Sequence, residues 1–227
     1  MADIIKHKFR DHEFQFLSTP QAPAMIKEIF ADNYHVLRSE PDFGFRPGDI
    51  VIDAGANEGM FSIMMAKLFP QARFLAFEPV PTTYYTLCEN IRLNESINVI
   101  PYNFGFGRNH QPKTIMTVNN GLSGGDTAWC NTFDPKNHTR VEVGLISLDA
   151  AFELYGIKRC RLAKFDVEGS EYDILYGTKM LSRIDYMVIE IHINSKLEFE
   201  SRRPDGLLNW ISKQTKVLSA QIIKMAE

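Results

Sequence analysis

Two glycines and two carboxylates occur close together in the stretch Asp53–Gly59, which reads Asp-Ala-Gly-Ala-Asn-Glu-Gly. The apolar run Ile50–Ile52 precedes this stretch. Four apolar residues follow it with the spacing of one helix face: Phe61, Met64, Met65 and Leu68. The pattern predicts a buried strand, a tight turn and a helix, with unpaired backbone amides above the end of the strand. Gly55 and Gly59 would let this turn bend and approach a ligand.

The charges of the turn indicate the kind of ligand. A dinucleotide loop usually reads Gly-x-Gly-x-x-Gly, because a pyrophosphate must touch bare amides. Here the third glycine is missing, and Asp53 and Glu58 flank the turn. Two carboxylates would repel a pyrophosphate, but they suit a positively charged ligand such as the sulfonium and amino groups of S-adenosylmethionine.

A further carboxylate follows the next apolar run. Arg73–Phe77 reads as a strand, and Glu78 comes directly after it, 19 residues (78 − 59) past Gly59. A carboxylate at the tip of this strand can accept both hydroxyls of a ribose. Combined with the glycine turn, Glu78 predicts a nucleoside-type cofactor.

Candidates for catalysis follow two later strands. Asp166 and Glu168 come after Arg161–Phe165, and His192 lies near the end of Tyr186–Ile193. Transfer of a methyl group from a sulfonium to a hydroxyl needs alignment and removal of the hydroxyl proton. We therefore consider Asp166, Glu168 and His192 as catalytic residues, with a neutral His192 as one possible base. The alternative for His192 is a packed or solvent-facing histidine at a strand end.

Two other roles concern the same strands. Asp166 and His192 could together hold a divalent cation, but two ligands lack a clear third, so no metal is predicted. Glu190 lies between apolar neighbours and needs a partner, for which we expect Lys164 on the adjoining strand.

The elements that must position these residues alternate between strands and helices. Helices are expected from about Thr82 to Leu93 and, following the segment Asp166–Glu171, to about Leu181. A last strand is expected over Lys216–Lys224. The alternation predicts an α/β fold with a doubly wound, mostly parallel sheet and the ligand at the carboxyl ends of its strands.

One domain over residues 1–227 is predicted. Residues 1–45 read as a layer made of a hairpin (residues 4–17) and a helix (Pro20 to Asn33), and residues 46–227 as the cofactor-binding core. A β-rich insertion occupies about residues 105–145. It forms either a wall over the pocket or a surface excursion without ligand contact.

Composition narrows the function classes. A net charge of −3 gives no electrostatic reason to expect a nucleic-acid partner, and no apolar run reaches membrane-spanning length. The three cysteines are scattered: Cys88, Cys130 and Cys160. They form no metal motif or disulfide framework, so a reducing, cytoplasmic location is expected. Nothing in the sequence predicts the oligomeric state.

Two segments, Val51–Gly59 and Ala163–Glu171, resemble the FkbM-type methyltransferases. Phe77-Glu78-Pro79 and Ser147-Leu148-Asp149 also look like that family, so the similarity spans about residues 45–195. The resemblance implies a Rossmann-like class I methyltransferase fold and S-adenosylmethionine as the donor. It also implies O-methylation, usually of sugars or natural products. The antiparallel final hairpin common in this fold is expected to be short or missing.

By match to the family, Asp53, Gly55, Asn57 and Glu78 would touch the cofactor, with Asp166 near its methionine end. The complete set of predicted cofactor-binding residues is Asp53, Gly55, Ala56, Asn57, Glu58, Gly59, Phe61, Glu78, Pro79, Asn103 and Asp166.

The leading hypothesis is an S-adenosylmethionine-dependent O-methyltransferase acting on a small hydroxylated acceptor, a sugar or glycan. One alternative is a methyltransferase-like module that binds a partner without catalysis. The other is a nucleotide-dependent oxidoreductase, which Asp53, Glu58 and the missing third glycine argue against.

Overall fold

Strands and helices alternate along most of the chain in a computed structural model that describes residues 3–30, 44–119, 135–193 and 202–224. In chain order the elements are β1 (Ile4–Phe9), β2 (His12–Leu17), α1 (Ala22–Phe30), β3 (Ile50–Ala54), α2 (Met60–Leu68), β4 (Arg73–Phe77), α3 (Pro81–Leu93), β5 (Val99–Tyr102), β6 (Gly105–Gly107), β7 (Gln111–Asn119), β8 (His138–Ser147), α4 (Leu148–Leu154), β9 (Cys160–Phe165), α5 (Glu171–Gly177), β10 (Ile184–Ile193), α6 (Pro204–Ser212) and β11 (Lys216–Lys224).

Six of these strands form the central sheet, in the order β11-β10-β9-β3-β4-β5. All five neighbouring pairs in it are parallel, which confirms the predicted α/β fold. From β3 the chain proceeds outward through β4 and β5, and from β9 it proceeds the opposite way. The strand order therefore reverses between β3 and β9, and ligands of such sheets bind in the crevice at this switch point.

The described part of this sheet contains no antiparallel strand. β11 pairs in parallel with β10 up to Lys224.

Each face of the sheet has its own apolar core, because successive side chains of a strand point to opposite sides. Val51 packs in one cluster with Phe61 of α2 and Leu87 of α3. Its neighbour Ile52 packs in the other cluster with Phe152 of α4. A strand buried on both faces reads as a continuous apolar run, as Ile50–Ile52 does.

The N-terminal hairpin and helix cover the face that carries α2 and α3. The hairpin pairs Ile4 with Leu17, and Phe14, Phe16 and Phe30 enter the same cluster as Val51. This hairpin and α1 confirm the predicted layer; the predicted end of the helix at Asn33 lies outside the described residues.

A second sheet follows the core strand β5. It has the order β6-β8-β7, with β7 and β8 antiparallel and β6 parallel to β8. The β-rich character predicted for residues 105–145 is confirmed in the described parts of that range, residues 105–119 and 135–145. Residues 120–134, which include Cys130, lie outside the described residues, whereas Cys88 and Cys160 are free thiols.

The helix after Ser170 is shorter than predicted. It ends at Gly177 and not near Leu181, because Thr178 adopts an extended conformation. Asp149 of α4 accepts hydrogen bonds from the Thr178 hydroxyl and the Lys179 backbone N–H. These bonds hold the chain in the extended conformation that ends the helix. The helix α4 itself begins after Ser147, whose side chain accepts from the Ala150 N–H.

In the part of the chain that the structure describes, no helix is both long enough and apolar enough to cross a membrane.

Candidate active site

A crevice opens at the carboxyl ends of the central strands, where the strand order reverses. It is lined by residues from the ends of β3, β4 and β9 and from the second sheet: Gly55, Asn57, Glu78, Pro79, Val80, Gly105, Phe106, Met116, Leu145, Asp166, Val167, Glu168 and Ser170. Six of the predicted site residues therefore line one crevice: Gly55, Asn57, Glu78, Pro79, Asp166 and Glu168.

Gly55 places the turn after β3 between the two neighbouring strands. Its N–H and that of Ala56 both donate to the carbonyl of Phe77 at the end of β4. A Cβ on Gly55 would lie 1.8 Å from the carbonyl oxygen of Asp166, and φ is +77°. The close contact with the end of β9 is therefore the main reason why position 55 must be glycine. The same contact brings Asp166 to the crevice.

Gly59 has a different neighbour from the one expected. A Cβ there would lie 2.2 Å from the side chain of Leu87 on α3, and φ is +84°. The glycine allows α2 and α3 to approach each other, and Gly59 does not line the crevice.

Glu78 lies directly beside the glycine turn, as predicted. Its two carboxylate oxygens accept the backbone N–H of Asn57 at 3.0 Å and of Val80 at 2.9 Å. The side chain of Asn103 donates to the carbonyls of Glu78 and Pro79, which fixes the tip of β4. Asn103 thus acts behind the crevice wall and is not part of it.

Asp53 and Glu58 do not face the crevice. Asp53 is 0% exposed and accepts from the Ser62 hydroxyl at 2.7 Å. Glu58 is 1% exposed and accepts from the side chain of Gln21. Burial raises the pKa of both carboxyls. The argument that these two charges would repel a pyrophosphate is therefore wrong, because both side chains point into the protein.

Two more predicted contacts are also buried behind the turn. Ala56 is 4% exposed and Phe61 is 2% exposed, and both belong to the apolar cluster under α2. They support the turn and are not among the residues that line the crevice.

The predicted catalytic residues come together at the ends of β9 and β10. The Nε2 atom of His192 lies 3.3 Å from an oxygen of Glu168 and 4.0 Å from an oxygen of Asp166. Its Nδ1 atom is 2.8 Å from the Glu171 carboxylate. Asp166, Glu168 and His192 are called the catalytic cluster below.

Glu171 organises the turn that presents this cluster. It is fully buried at the start of α5, and one of its oxygens accepts the backbone N–H groups of Val167 and Gly169 as well as His192. Glu168 has a φ of +51°, a strained value for a residue with a side chain, and these bonds hold the turn in that shape.

The carboxylates around His192 determine its protonation. Burial alone would lower the pKa of the imidazole, but the hydrogen bond and charge of Glu171 and the charges of Glu168 and Asp166 outweigh it. Together they raise the pKa to about 9. In this arrangement the imidazole carries a proton at neutral pH, and the neutral base considered from the sequence is not the form that the structure favours.

The sequence suggested Glu190 as the partner of Lys164, whereas the ion pairs that the structure shows for Lys164 are with two aspartates. Its ammonium lies 3.2 Å from Asp166 and 3.5 Å from Asp53. The register explains this difference, because Lys164 is level with Asp53 on β3 and with Val188 on β10. Burial, followed by the charge of Asp166, raises the pKa of Glu190 to about 7 although Lys164 opposes the shift.

Sequence reasoning missed two groups of residues. The first is Glu171, whose signal was the third acidic residue in Asp166-Val-Glu168-Gly-Ser-Glu171 at the start of a helix. The second is the apolar lining of the crevice, formed by Val80, Phe106, Met116 and Leu145. Met116 and Leu145 belong to β7 and β8, so the second sheet forms a wall of the crevice, the first of the two readings of the insertion.

A family model and two known proteins that are similar to this chain are named as methyltransferases. A family model described as the methyltransferase FkbM domain matches residues 53–218. Methyltransferase 1 of Beauveria bassiana (strain ARSEF 2860) is 31% identical over 226 residues, which cover 89% of this chain and 87% of that protein. The 31-O-demethyl-FK506 methyltransferase FkbM of Streptomyces tacrolimicus is 28% identical over 200 residues, covering 76% and 75% of the two chains.

A solved structure with a similar arrangement is precorrin-6y C5,15-methyltransferase from Geobacter metallireducens GS-15. It is 14% identical, with a TM-score of 0.44, and the match covers 80% of this chain and 68% of that chain. The family match contains the glycine turn, Glu78 and the whole catalytic cluster. The chain therefore belongs to the FkbM methyltransferase family, and S-adenosylmethionine is its cofactor.

Proposed function

We propose that the protein is an O-methyltransferase that transfers the methyl group of S-adenosylmethionine to a hydroxyl of a small acceptor. The observation that carries this proposal is that Glu78 and the two carboxylates of the catalytic cluster line one crevice. Glu78 lies beside the glycine turn, and Asp166 and Glu168 line the β9 side. A nucleoside on Glu78 can therefore extend its reactive end toward the carboxylates.

The lining residues fit this cofactor. The two backbone bonds of Glu78 do not exhaust the roughly four acceptor sites of a carboxylate, so it can also accept ribose hydroxyls. Val80 and Phe106 offer an apolar surface on which a purine ring can pack. Asp166, near the other end, is suited to the positively charged methionine part. When bound, the cofactor supplies an electrophilic methyl group on a sulfonium.

The catalytic cluster would align the acceptor and take its proton. The acceptor oxygen forms a bond to the methyl carbon as the carbon–sulfur bond breaks, and the electron pair of that bond stays on the sulfur. The hydroxyl proton passes to a carboxylate oxygen of Asp166 or Glu168, both of which are partly exposed at the crevice. His192, held by Glu171, positions these carboxylates.

For the acceptor, we propose a sugar, a glycan or another hydroxylated natural product. Carboxylates at the crevice can accept hydrogen bonds from neighbouring hydroxyls of such a molecule. One relative is named as a 31-O-demethyl-FK506 methyltransferase, which also supports an oxygen acceptor.

The first test is calorimetry with S-adenosylhomocysteine. We expect one site per chain, and we expect Glu78→Ala to weaken binding about 10-fold or more, because a hydrogen bond to a charged group is worth about 1.5–3 kcal/mol. Glu153→Ala, an exposed carboxylate on α4, is the matched control and should bind as the unaltered chain does. Absence of heat, or equal affinity in Glu78→Ala, would overturn the cofactor site.

The second test is a mass-spectrometric screen of hydroxylated acceptors with isotopically labelled donor. An acceptor that gains a labelled methyl group on oxygen supports the proposal. Labelling on nitrogen or carbon would refute O-methylation. Cofactor binding without transfer to any acceptor would favour the binding-module alternative.

A further inference from the structure

We propose that the catalytic cluster is a binding site for one divalent metal ion, with Asp166, Glu168 and His192 as its protein ligands. The sequence suggested only Asp166 and His192 for this role, and the structure adds Glu168 as the third. The binding of the ion is independent of methyl transfer; its role in the reaction rests on the proposed function.

The spacing of the donor atoms suits a small cation. One oxygen of Asp166, one oxygen of Glu168 and the Nε2 atom of His192 all lie within 4.8 Å of one another. In an octahedral site with bonds of about 2.1 Å, neighbouring ligand atoms are about 3 Å apart and opposite ones about 4.2 Å. The observed separations from Nε2, 3.3 Å to Glu168 and 4.0 Å to Asp166, fall in that interval.

The orientation of His192 is an independent observation that points to a ligand role. The side chain is 97% buried (3% exposed), and its Nδ1 faces the Glu171 carboxylate at 2.8 Å. Histidines that bind metals usually donate their other ring N–H to such a carboxylate, which fixes the ring and the tautomer. Here Glu171 occupies Nδ1, and Nε2 is directed to the two crevice carboxylates. The ion takes the place of the proton that Nε2 carries when no ion is bound.

The groups that hold the three ligands in place are themselves fixed by hydrogen bonds and an ion pair. Glu171 is fixed by the backbone N–H groups of Val167 and Gly169, within the turn that carries Glu168. Asp166 receives the Lys164 ammonium on one oxygen, and the other oxygen is the one nearer His192. The three ligands are thus positioned by bonds that do not involve the ion.

The ion would activate the acceptor hydroxyl. Two oxygen ligands and one imidazole suit a divalent first-row ion or Mg²⁺, and three protein ligands leave coordination positions for the hydroxyl. A hydroxyl on the ion loses its proton more readily, and the proton passes to the carboxylate oxygen of Glu168 that does not bind the ion. The methyl carbon then bonds to the acceptor oxygen as the carbon–sulfur bond breaks.

The test uses Mn²⁺ alone as the probe, with the full chain and neither donor nor acceptor present. Binding is followed by the loss of the free Mn²⁺ signal in electron paramagnetic resonance. We expect one ion per chain, and at least 10-fold weaker binding in Glu168→Gln, since even outer-shell changes cost 10–100-fold in affinity. Glu153→Gln, with its exposed carboxylate on α4, should bind Mn²⁺ as the unaltered chain does.

His192→Gln should also lose the site, and its circular dichroism shows whether the variant folds. If it does not fold, Glu168→Gln decides, because its side chain is partly exposed in a turn. No Mn²⁺ binding at millimolar concentration, or equal binding in Glu168→Gln, would overturn the metal site. Either result leaves the calorimetric test with S-adenosylhomocysteine untouched, so failure of the metal site and failure of the cofactor site are distinguishable.

Discussion

Gly55 shows how one missing side chain joins the two halves of the crevice. The carbonyl of Asp166 occupies the place where its Cβ would be, and the Asp166 N–H donates to the carbonyl of Ala54. Any side chain at position 55 would push the end of β9 away from β3. The catalytic carboxylate and the cofactor turn are therefore positioned by the same backbone contact.

Replacement of Gly55 by alanine is expected to be much more destabilising than the same change at Gly156. Both glycines have positive φ, +77° and +64°, and the left-handed conformation costs alanine about 1–2 kcal/mol. Only Gly55→Ala also creates a backbone clash, since nothing lies within 4 Å of a Cβ at Gly156. Urea unfolding should show a loss of about 3 kcal/mol or more for Gly55→Ala. Equal losses in the two variants would contradict the packing argument.

Glu58 and Glu171 show how far a sequence indicates the position and the partners of a single side chain. Both flank turns at the carboxyl ends of strands, and the sequence suggested that Glu58 faces the ligand. Its actual partner, Gln21, is 37 residues away in the N-terminal layer, and no local pattern indicates that contact. Glu78 was predictable because a carboxylate at the tip of the second strand has one geometric role in this fold.

At the scale of elements, α3 connects the N-terminal hairpin to the core through side-chain amides. Asn90 accepts the backbone N–H of Leu17 at 2.8 Å and donates to the carbonyl of Glu58 at 2.9 Å. One turn later, Asn94 makes two bonds to the backbone of Gln15. The helix thus supplies to β2 the hydrogen bonds that a neighbouring strand would otherwise provide.

Asn90→Ala is expected to destabilise the whole chain. Asn90 is fully buried, and its removal leaves two backbone groups without partners, each of which costs about 1–3 kcal/mol. Urea unfolding should show a loss of about 2 kcal/mol or more in a single transition, because the hairpin layer and the core share this bond. Asn209→Ala, at an exposed position of α6, is the control. A separate early transition of the hairpin would show that residues 1–45 form an independent unit.

The boundaries of most elements were predictable, because apolar periodicity and capping residues are local signals. The last strand, Lys216–Lys224, was predicted to the residue. The end of α5 was not predictable. Asp149 of α4, which lies 29 residues before Thr178, accepts the hydrogen bond that holds Thr178 in the extended conformation in which the helix ends. The second sheet was predictable as β-rich, but its place beside the crevice depends on contacts such as Gly105 against Leu145 and Pro79.

At the scale of the whole molecule, the crevice is assembled from parts distant in sequence. Residues after β3 and β4 form the cofactor side, the turn after β9 forms the catalytic side, and β7 and β8 form a wall. None of these parts is a site alone, so a ligand that contacts all of them binds only the folded chain. Binding must then raise the stability of the fold as a whole.

S-adenosylhomocysteine should therefore raise the thermal midpoint of the chain. At 100 times its dissociation constant, a ligand specific for the native state contributes about 2.7 kcal/mol. For a chain of 227 residues this corresponds to a shift of about 5–11 °C, read by differential scanning calorimetry.

NAD at the same concentration should give no shift, because the turn lacks the third glycine with which dinucleotide loops bind a pyrophosphate. In Glu78→Ala, binding that is 10-fold weaker leaves about 1.4 kcal/mol at the same ligand concentration, so the shift should fall to about half or less. A full shift in that variant, or a shift with NAD alone, would mean that the nucleoside does not bind at the tip of β4.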